Sequence, residues 1–257
     1  MIQNLRLVVT RLLDSIFSCL GFGAHHNPAR MQLLICLLNI IFSIVPIIMY
    51  IWVSVNIHVI FWLGMAPQYA NICVPIALSF LNMGTIAIKY LQPKAEASRI
   101  SCFLIFLTLG SVMLGVGLYV QILAYNVAED LIHRCGASTL SAQLESEWQR
   151  LNAFYQQCYV MQGKLELIEQ CPGFAEAFPN RVFANYIEDI EYDYNCVGFC
   201  QFWAQPLFNM DADRNRRCAT EIGEEMEWIG NTVGMPTMLV GLMVVLVGAC
   251  LALYDHL

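Results

Sequence analysis

Charge is what this sequence has least of. Asp, Glu, Lys and Arg together make up 13% of its 257 residues, about half the share usual for a soluble domain. Hydrophobic residues make up 58%, and the mean hydropathy is +0.57. So little charge cannot cover a water-facing surface, which excludes an ordinary soluble globule. Basic tracts are also absent. With a net charge of -7 and a pI near 5.2, nucleic acid is excluded as a partner. There is no Gly-rich phosphate loop and no nucleophile–base–acid constellation. His133 and Cys135 lie close in sequence, but no orienting acid accompanies them. The chain therefore reads as non-enzymatic, with no cofactor and no metal. It also has no Asn-x-Ser/Thr acceptor, which argues against heavy N-glycosylation.

Where charge is missing, membrane spans fit. No Asp, Glu, Lys or Arg occurs between Arg30 and Lys89, between Arg99 and Glu129, or between Glu227 and Asp255. A helical span needs ~20 apolar residues. The second and third windows hold one span each, about Ile100–Tyr125 and Val233–Leu253. The first window holds two, about Leu33–Val55 and Ile72–Leu91, broken by Asn56, His58 and the run from Pro67 to Asn71. The expectation is an all-α membrane protein with a four-helix bundle. Residues 31–125 carry spans one to three, 126–232 form an outer domain, and 233–257 carry span four and a short tail.

Orientation follows from the basic residues. Arg6, Arg11, Arg30, Lys89, Lys94 and Arg99 all fall on one side of such a bundle, which the positive-inside rule makes cytoplasmic or matrix-like. Residues 126–232 then lie opposite, with 17 acids against 7 bases. Both termini are expected on the cytoplasmic side of the plasma membrane or an endomembrane. The alternative is the mitochondrial inner membrane. Residues 1–30 read as an interfacial helix, with Leu5, Val8, Val9, Leu12, Leu13, Ile16 and Leu20 on one face. Arg6 and Arg11 keep an import signal open as the rival, with Asp14 against it.

Polar residues within the spans are few: Asn39, Asn82 and Gln121. No ionisable residue lies deep in a span, which disfavours an ion or proton pathway. Asn39 and Asn82 are read as interhelical hydrogen-bonding positions that fix register. Gly110, Ser111, Gly115 and Gly117 stripe the third span, and Gly234, Gly241 and Gly248 recur every seven residues in the fourth. Small side chains let backbones approach closely in lipid, and seven-residue spacing suggests a left-handed bundle.

The outer domain reads as mostly helical. Leu140, Leu144, Trp148, Leu151 and Tyr155 recur at helical spacing. Leu165 and Ile168 begin a second amphipathic stretch, ended by Cys171-Pro172-Gly173. Val182, Tyr186, Ile187, Ile190 and Tyr194 form a third, and Ile222, Met226 and Ile229 lead into the fourth span. Residues 199–217 show no clear period.

Of eleven cysteines, six fall in this domain: Cys135, Cys158, Cys171, Cys196, Cys200 and Cys218. An even count in a small acidic outer domain reads as three disulfides, with about fifteen pairings open. The rivals are free thiols and a metal site. Cys196-x-x-x-Cys200 is half of one, but no second close pair follows. Cys19, Cys102 and Cys250 lie near the cytoplasmic interface, where S-palmitoylation competes with simple packing.

With these features together, the chain resembles a tetraspanin over nearly its whole length: four spans, a short first outer loop, a tiny inner connector and a large Cys-rich second outer loop. Asn39 in the apolar run Leu33–Phe42 is similar to the family's first helix, and Gly115–Val120 resembles the end of its third. Ile187–Phe199 is similar to the helix leading into the family's Cys-Cys-Gly motif, although Val197 stands where the second Cys belongs. Cys135, Cys158 and Cys171 fall earlier than most family cysteines, and the polar residues common in the family's third and fourth spans are missing. The resemblance implies a Cys196–Cys218 disulfide and leaves Cys200 to pair with Cys135, Cys158 or Cys171. It implies a membrane organiser that binds other integral membrane proteins and lipids, as a homo- or hetero-oligomer. The alternative function is an accessory structural subunit of a large respiratory or photosynthetic assembly.

Overall fold

The computed structural model describes residues 97–163, 167–202 and 205–254, together with 51–53, 55–64 and scattered positions between 44 and 83. Among the described residues the chain is all-helical. The helices are α1 (Ile57–Leu63), α2 (Ala97–His133), α3 (Thr139–Gln162), α4 (Phe174–Ala177), α5 (Val182–Tyr194), α6 (Cys218–Ile229) and α7 (Met235–Tyr254). A 3-10 turn covers Ile168–Gln170, and a π turn, Gly230–Gly234, joins α6 to α7. The described residues fall into two compact units, one drawn from Met1–Gln121 and Asn231–Leu257, the other from Ile122–Gly230.

Two helical stretches, Phe106–His133 and Cys218–Leu246, are long and apolar enough to cross a membrane. At 1.5 Å per residue, 28 residues exceed the ~30 Å hydrocarbon core. Helix α2 does not end where its apolar run ends. It continues through Glu129 and Asp130 to His133, because a change from apolar to charged residues alters what a helix faces and not its backbone bonding. The unit boundaries, at 121/122 and 230/231, fall a few residues from those drawn on composition. The π turn has a local cause. Pro236 follows it, lacks an N–H and crowds the preceding turn, so a regular α-helical bond pattern cannot run through.

In the first unit, α2 and α7 meet along glycines. A Cβ on Gly117 would lie 2.5 Å from Met238 N and 2.8 Å from the Gly234 carbonyl oxygen. One on Gly110 would lie 2.9 Å from the Gly241 carbonyl oxygen, and one on Gly241 would lie 2.5 Å from Leu114 N. The buried positions Phe106, Gly110, Met113, Gly117 and Val120 alternate by four and three along α2, the spacing of a heptad seam. Gly115 stands apart from this seam. It is exposed, and a Cβ there would meet no described atom within 4 Å, because it lies two residues from the seam glycine Gly117 and so on another face of the helix. Leu107, Val112, Leu118, Leu242, Met243 and Leu246 are large, apolar and exposed, as a lipid-facing surface would be.

In the same unit, α1 is capped at its start by the Asn56 side chain, which accepts from His58 N at 2.9 Å, and ends at Gly64 with φ +73°.

The second unit is built on α3, α5 and α6, with α3 packing on α5 and α5 on α6. Leu144, Trp148 and Leu151 of α3, Ile187 and Ile190 of α5, and Ile222, Met226 and Ile229 of α6 are fully buried. The end of α2 joins this core through Ala124, Ala128 and Leu131. Gly223 makes room for it: a Cβ there would lie 2.6 Å from Ile132 Cγ1. Ser138 caps α3, accepting from Ser141 N at 3.2 Å, while Ser141 Oγ donates to Asp130 Oδ2 at 3.1 Å and so fastens α3 to α2. Of the stretch expected from Leu165, the described part is a single 3-10 turn, Ile168–Gln170; it ends at Cys171-Pro172-Gly173 as expected, and the short α4 follows that break. One expectation changes: Val182, read as an inward position, is exposed at the first residue of α5, before the buried stripe begins.

Candidate interaction site

Three disulfides close the second unit: Cys135–Cys200, Cys158–Cys171 and Cys196–Cys218. Their Cα atoms lie 5.4, 5.9 and 5.1 Å apart, within the span such bonds require. Together they tie the end of α2 to the segment after α5, the end of α3 to the turn before α4, and the end of α5 to the start of α6. Closing 13, 22 and 65 residues constrains the unfolded chain by about 3 to 4 kcal/mol per bond on the chain-entropy account. With all six cysteines bonded, none is a thiolate for a metal. Cys135 is no nucleophile beside His133, which instead faces Glu129 at 3.9 Å on the surface.

The Cys196-Val197-Gly198 segment has a defined backbone role. Asp213 N donates to the Asn195 carbonyl, Val197 N to that of Arg216, and Cys218 N to that of Gly198, at 2.9–3.0 Å. Residues 195–199 thus run beside 213–219, with one isolated parallel bridge between Cys196 and Asp213. Asn195 (φ 51°) and Gly198 (φ +76°) make the left-handed bends that release the chain from α5. Val197 is fully buried and fills its site with apolar volume.

Glu191 is a functional-looking group that sequence reasoning missed. It is fully buried, and its carboxylate accepts from three successive backbone N–H groups, those of Leu207, Phe208 and Asn209. Burial pushes its carboxyl up to about 7, against the pull of those three bonds, and repulsion from Glu188 adds to the rise. Glu188 is itself raised, first by burial and then by Glu169 and Asp189, with Arg181 opposing. A signal was present: Glu191 falls one turn after Ile187 and next to Ile190, on the apolar face of an otherwise regular amphipathic pattern.

An aromatic layer backs this turn. Phe174 meets Phe178 at 5.3 Å and Phe208 at 6.5 Å, and Phe154 meets Phe178 edge-on at 5.5 Å. Arg150 lies 4.7 Å over Phe178 and donates to the Ala177 carbonyl at 2.8 Å; Arg181 lies 5.0 Å over Phe174. On the surface, Arg216 pairs with Glu221, which raises the guanidinium pKa. Phe202 is exposed beneath Arg217, and Met210, Tyr192, Val160 and Met161 are exposed as well. These side chains offer aromatic and sulfur-bearing contact area on an acidic unit, and that composition is enriched at protein interfaces.

Asn39, Asn82, Cys19 and residues 1–30, expected as an interfacial helix, lie outside the described residues, as do the side chains of Cys102 and Cys250 and the packing of Gly248. Cys73 is an exposed free thiol. Among the described residues, no group of three His, Cys, Asp or Glu could hold a metal ion. No family model, curated protein or solved structure matches the chain.

Proposed function

We propose that the chain is a four-span, tetraspanin-like membrane organiser that binds other integral membrane proteins through its spans and through a disulfide-stapled domain on the non-cytoplasmic side. The carrying observation is one of order along the chain: two helices long and apolar enough to cross a membrane flank a helical unit closed by three disulfides. Disulfides persist in oxidising compartments, which supports a place for that unit away from the cytosol. The six basic residues outside residues 126–232 support termini on the cytoplasmic side. The α2–α7 glycine seam supports packing of the bundle rather than a pore, since a channel lining would need polar groups where backbones here touch. Lipids solvate the exposed apolar face of both helices, and association with copies or partners uses the same membrane plane.

Purification in mild detergent with mass spectrometry of the co-eluting chains tests this. Receptors, adhesion proteins or other small multi-span proteins support the organiser. A stoichiometric set of respiratory or photosynthetic subunits would instead make the chain an accessory subunit of that assembly. Elution of the chain alone, with no partner under several mild detergents, contradicts both.

A further inference from the structure

Positive charge is scarce in the outer segment, and what there is gathers in one place. Residues 126–232 hold 7 bases against 17 acids, and three of those bases, Arg214, Arg216 and Arg217, lie within residues 214–217. Two tight turns lead through this run: Ala212 N donates to the Asn209 carbonyl and Arg216 N to the Asp213 carbonyl, both at 3.1 Å. Arg216 is already satisfied. Glu221 accepts from its Nε at 2.8 Å, and Asp213 and Glu224 act on it as well. Asp213 also accepts from Asn215 N at 3.0 Å. Arg214 is exposed and Arg217 half-buried. Among the described residues, neither has a carboxylate within ion-pair distance.

Arg217 is nonetheless held in place. Its guanidinium lies 5.2 Å over the ring centroid of Phe202, a side chain that is itself 62% exposed. The backbone beneath both is pinned. Phe202 stands two residues after Cys200, which is bonded to Cys135, and Arg217 stands next to Cys218, which is bonded to Cys196. Between them, Val197 N donates to the Arg216 carbonyl, Cys218 N to that of Gly198, and Ala219 N to that of Phe199 at 3.3 Å. A surface ordered in advance loses little conformational entropy on binding.

The chemistry of these groups selects a ligand. A guanidinium offers parallel N–H donors that match the two oxygens of a carboxylate. Among the described residues, those of Arg217 meet no acceptor. The Phe202 ring supplies an apolar surface directly beneath them, and Met210 is exposed in the first of the two turns. Arginine and aromatic side chains are the residues most enriched where binding energy concentrates. Nearby acids set a limit. Asp213 and Glu224 act on this run, and Asp211 is exposed within it, so a stretch of several acids would be repelled while a single carboxylate is not.

We propose that Arg217, stacked on Phe202, and Arg214 form a recognition site for a partner protein: a peptide segment with one carboxylate, side-chain or C-terminal, next to an aromatic or large apolar residue. The proposal rests on the outer domain being a partner-binding surface and names the chemistry of what it binds.

The full oxidised chain in lipid nanodiscs, panned with a phage-displayed library of random linear peptides, tests the site. Enriched peptides should carry a carboxylate beside an aromatic or large apolar residue, and should not bind empty nanodiscs. Synthetic copies should bind about tenfold more weakly to Arg217→Ala and to Phe202→Ala, and more weakly at high salt. Arg217→Lys should restore only part of the loss, and Lys164→Ala, an equal loss of charge, should change nothing. Peptide mapping of the three disulfides shows that each variant is folded. Enrichment of peptides without a carboxylate overturns the proposal, as does binding that Arg217→Ala and Arg214→Ala leave unmoved in folded chains. Self-association that those two changes abolish would assign the patch to a second copy instead. No enrichment would also overturn this site, while partner binding through the spans, read by co-purification, would stand.

Discussion

Gly117 of α2 lies directly over the backbone of Gly234, the last residue of the π turn that leads into α7: a Cβ on the first would sit 2.8 Å from the carbonyl oxygen of the second. Seven residues along each helix, Gly110 and Gly241 repeat the contact in the antiparallel sense. Two helices approach this closely only where neither carries a side chain, so the glycines set the distance between them.

Gly117→Ala should therefore separate α2 from α7 and destabilise the chain by about 1–3 kcal/mol, the usual range for forcing a methyl into a packed contact. Gly115→Ala, on a face with no described atom within 4 Å, should be neutral or slightly stabilising, because alanine favours helix. Thermal unfolding in detergent compares the two. Equal losses would remove the seam's special status.

Much of this was legible in composition and period. Leu144, Trp148, Leu151 and Tyr155 announce α3, and Ile222, Met226 and Ile229 announce α6, because one apolar stripe at helical spacing needs one buried face. What could not be read lies where two distant segments meet. Cys135 and Cys200 are 65 residues apart in sequence, and no local pattern pairs them. Glu191 stands on an apolar face, but the turn that receives it comes from an aperiodic stretch with no signal of its own. The glycine stripe pointed to close packing, yet choosing Gly117 over Gly115 required knowing which face α7 covers.

The three disulfides should not reduce together. Cys158, Cys171, Cys196 and Cys218 are buried, whereas Cys135 and Cys200 are half-buried, and exchange needs a thiolate to reach a sulfur. Brief treatment with a mild thiol reductant, then alkylation and peptide mapping, should label Cys135 and Cys200 first. Earlier labelling of Cys196 or Cys218 would contradict this order.

Glu191 also makes overall stability depend on pH. Its folded pKa, about 7, lies above the ordinary carboxyl value of 4.5. Its contribution is therefore fully present below that ordinary value and is lost as pH rises through about 7. The difference in melting temperature between the unmutated chain and Glu191→Gln should shift against the unmutated chain from pH 5 to pH 8. A pH-independent difference would mean that Glu191 stays ionised throughout.

Arg150→Ala should cost about 1 kcal/mol, through the lost contact over Phe178 and the lost cap on the Ala177 carbonyl. Arg150→Lys should recover only part, because a lysine cannot both lie flat on the ring and reach the carbonyl. Chemical denaturation of the oxidised chain measures both. Full recovery by lysine would show that charge alone matters there.

The central claim is that the disulfide-closed unit and the connector between the second and third spans lie on opposite sides of a membrane. A membrane-impermeant amine reagent applied to sealed, right-side-out vesicles tests it in one experiment. Lys164, within the acidic Cys-rich segment, should be labelled before lysis, and Lys94, in the connector, only after it. Labelling of Lys94 with Lys164 protected would reverse the topology, and labelling of both in intact vesicles would contradict the four-span reading altogether.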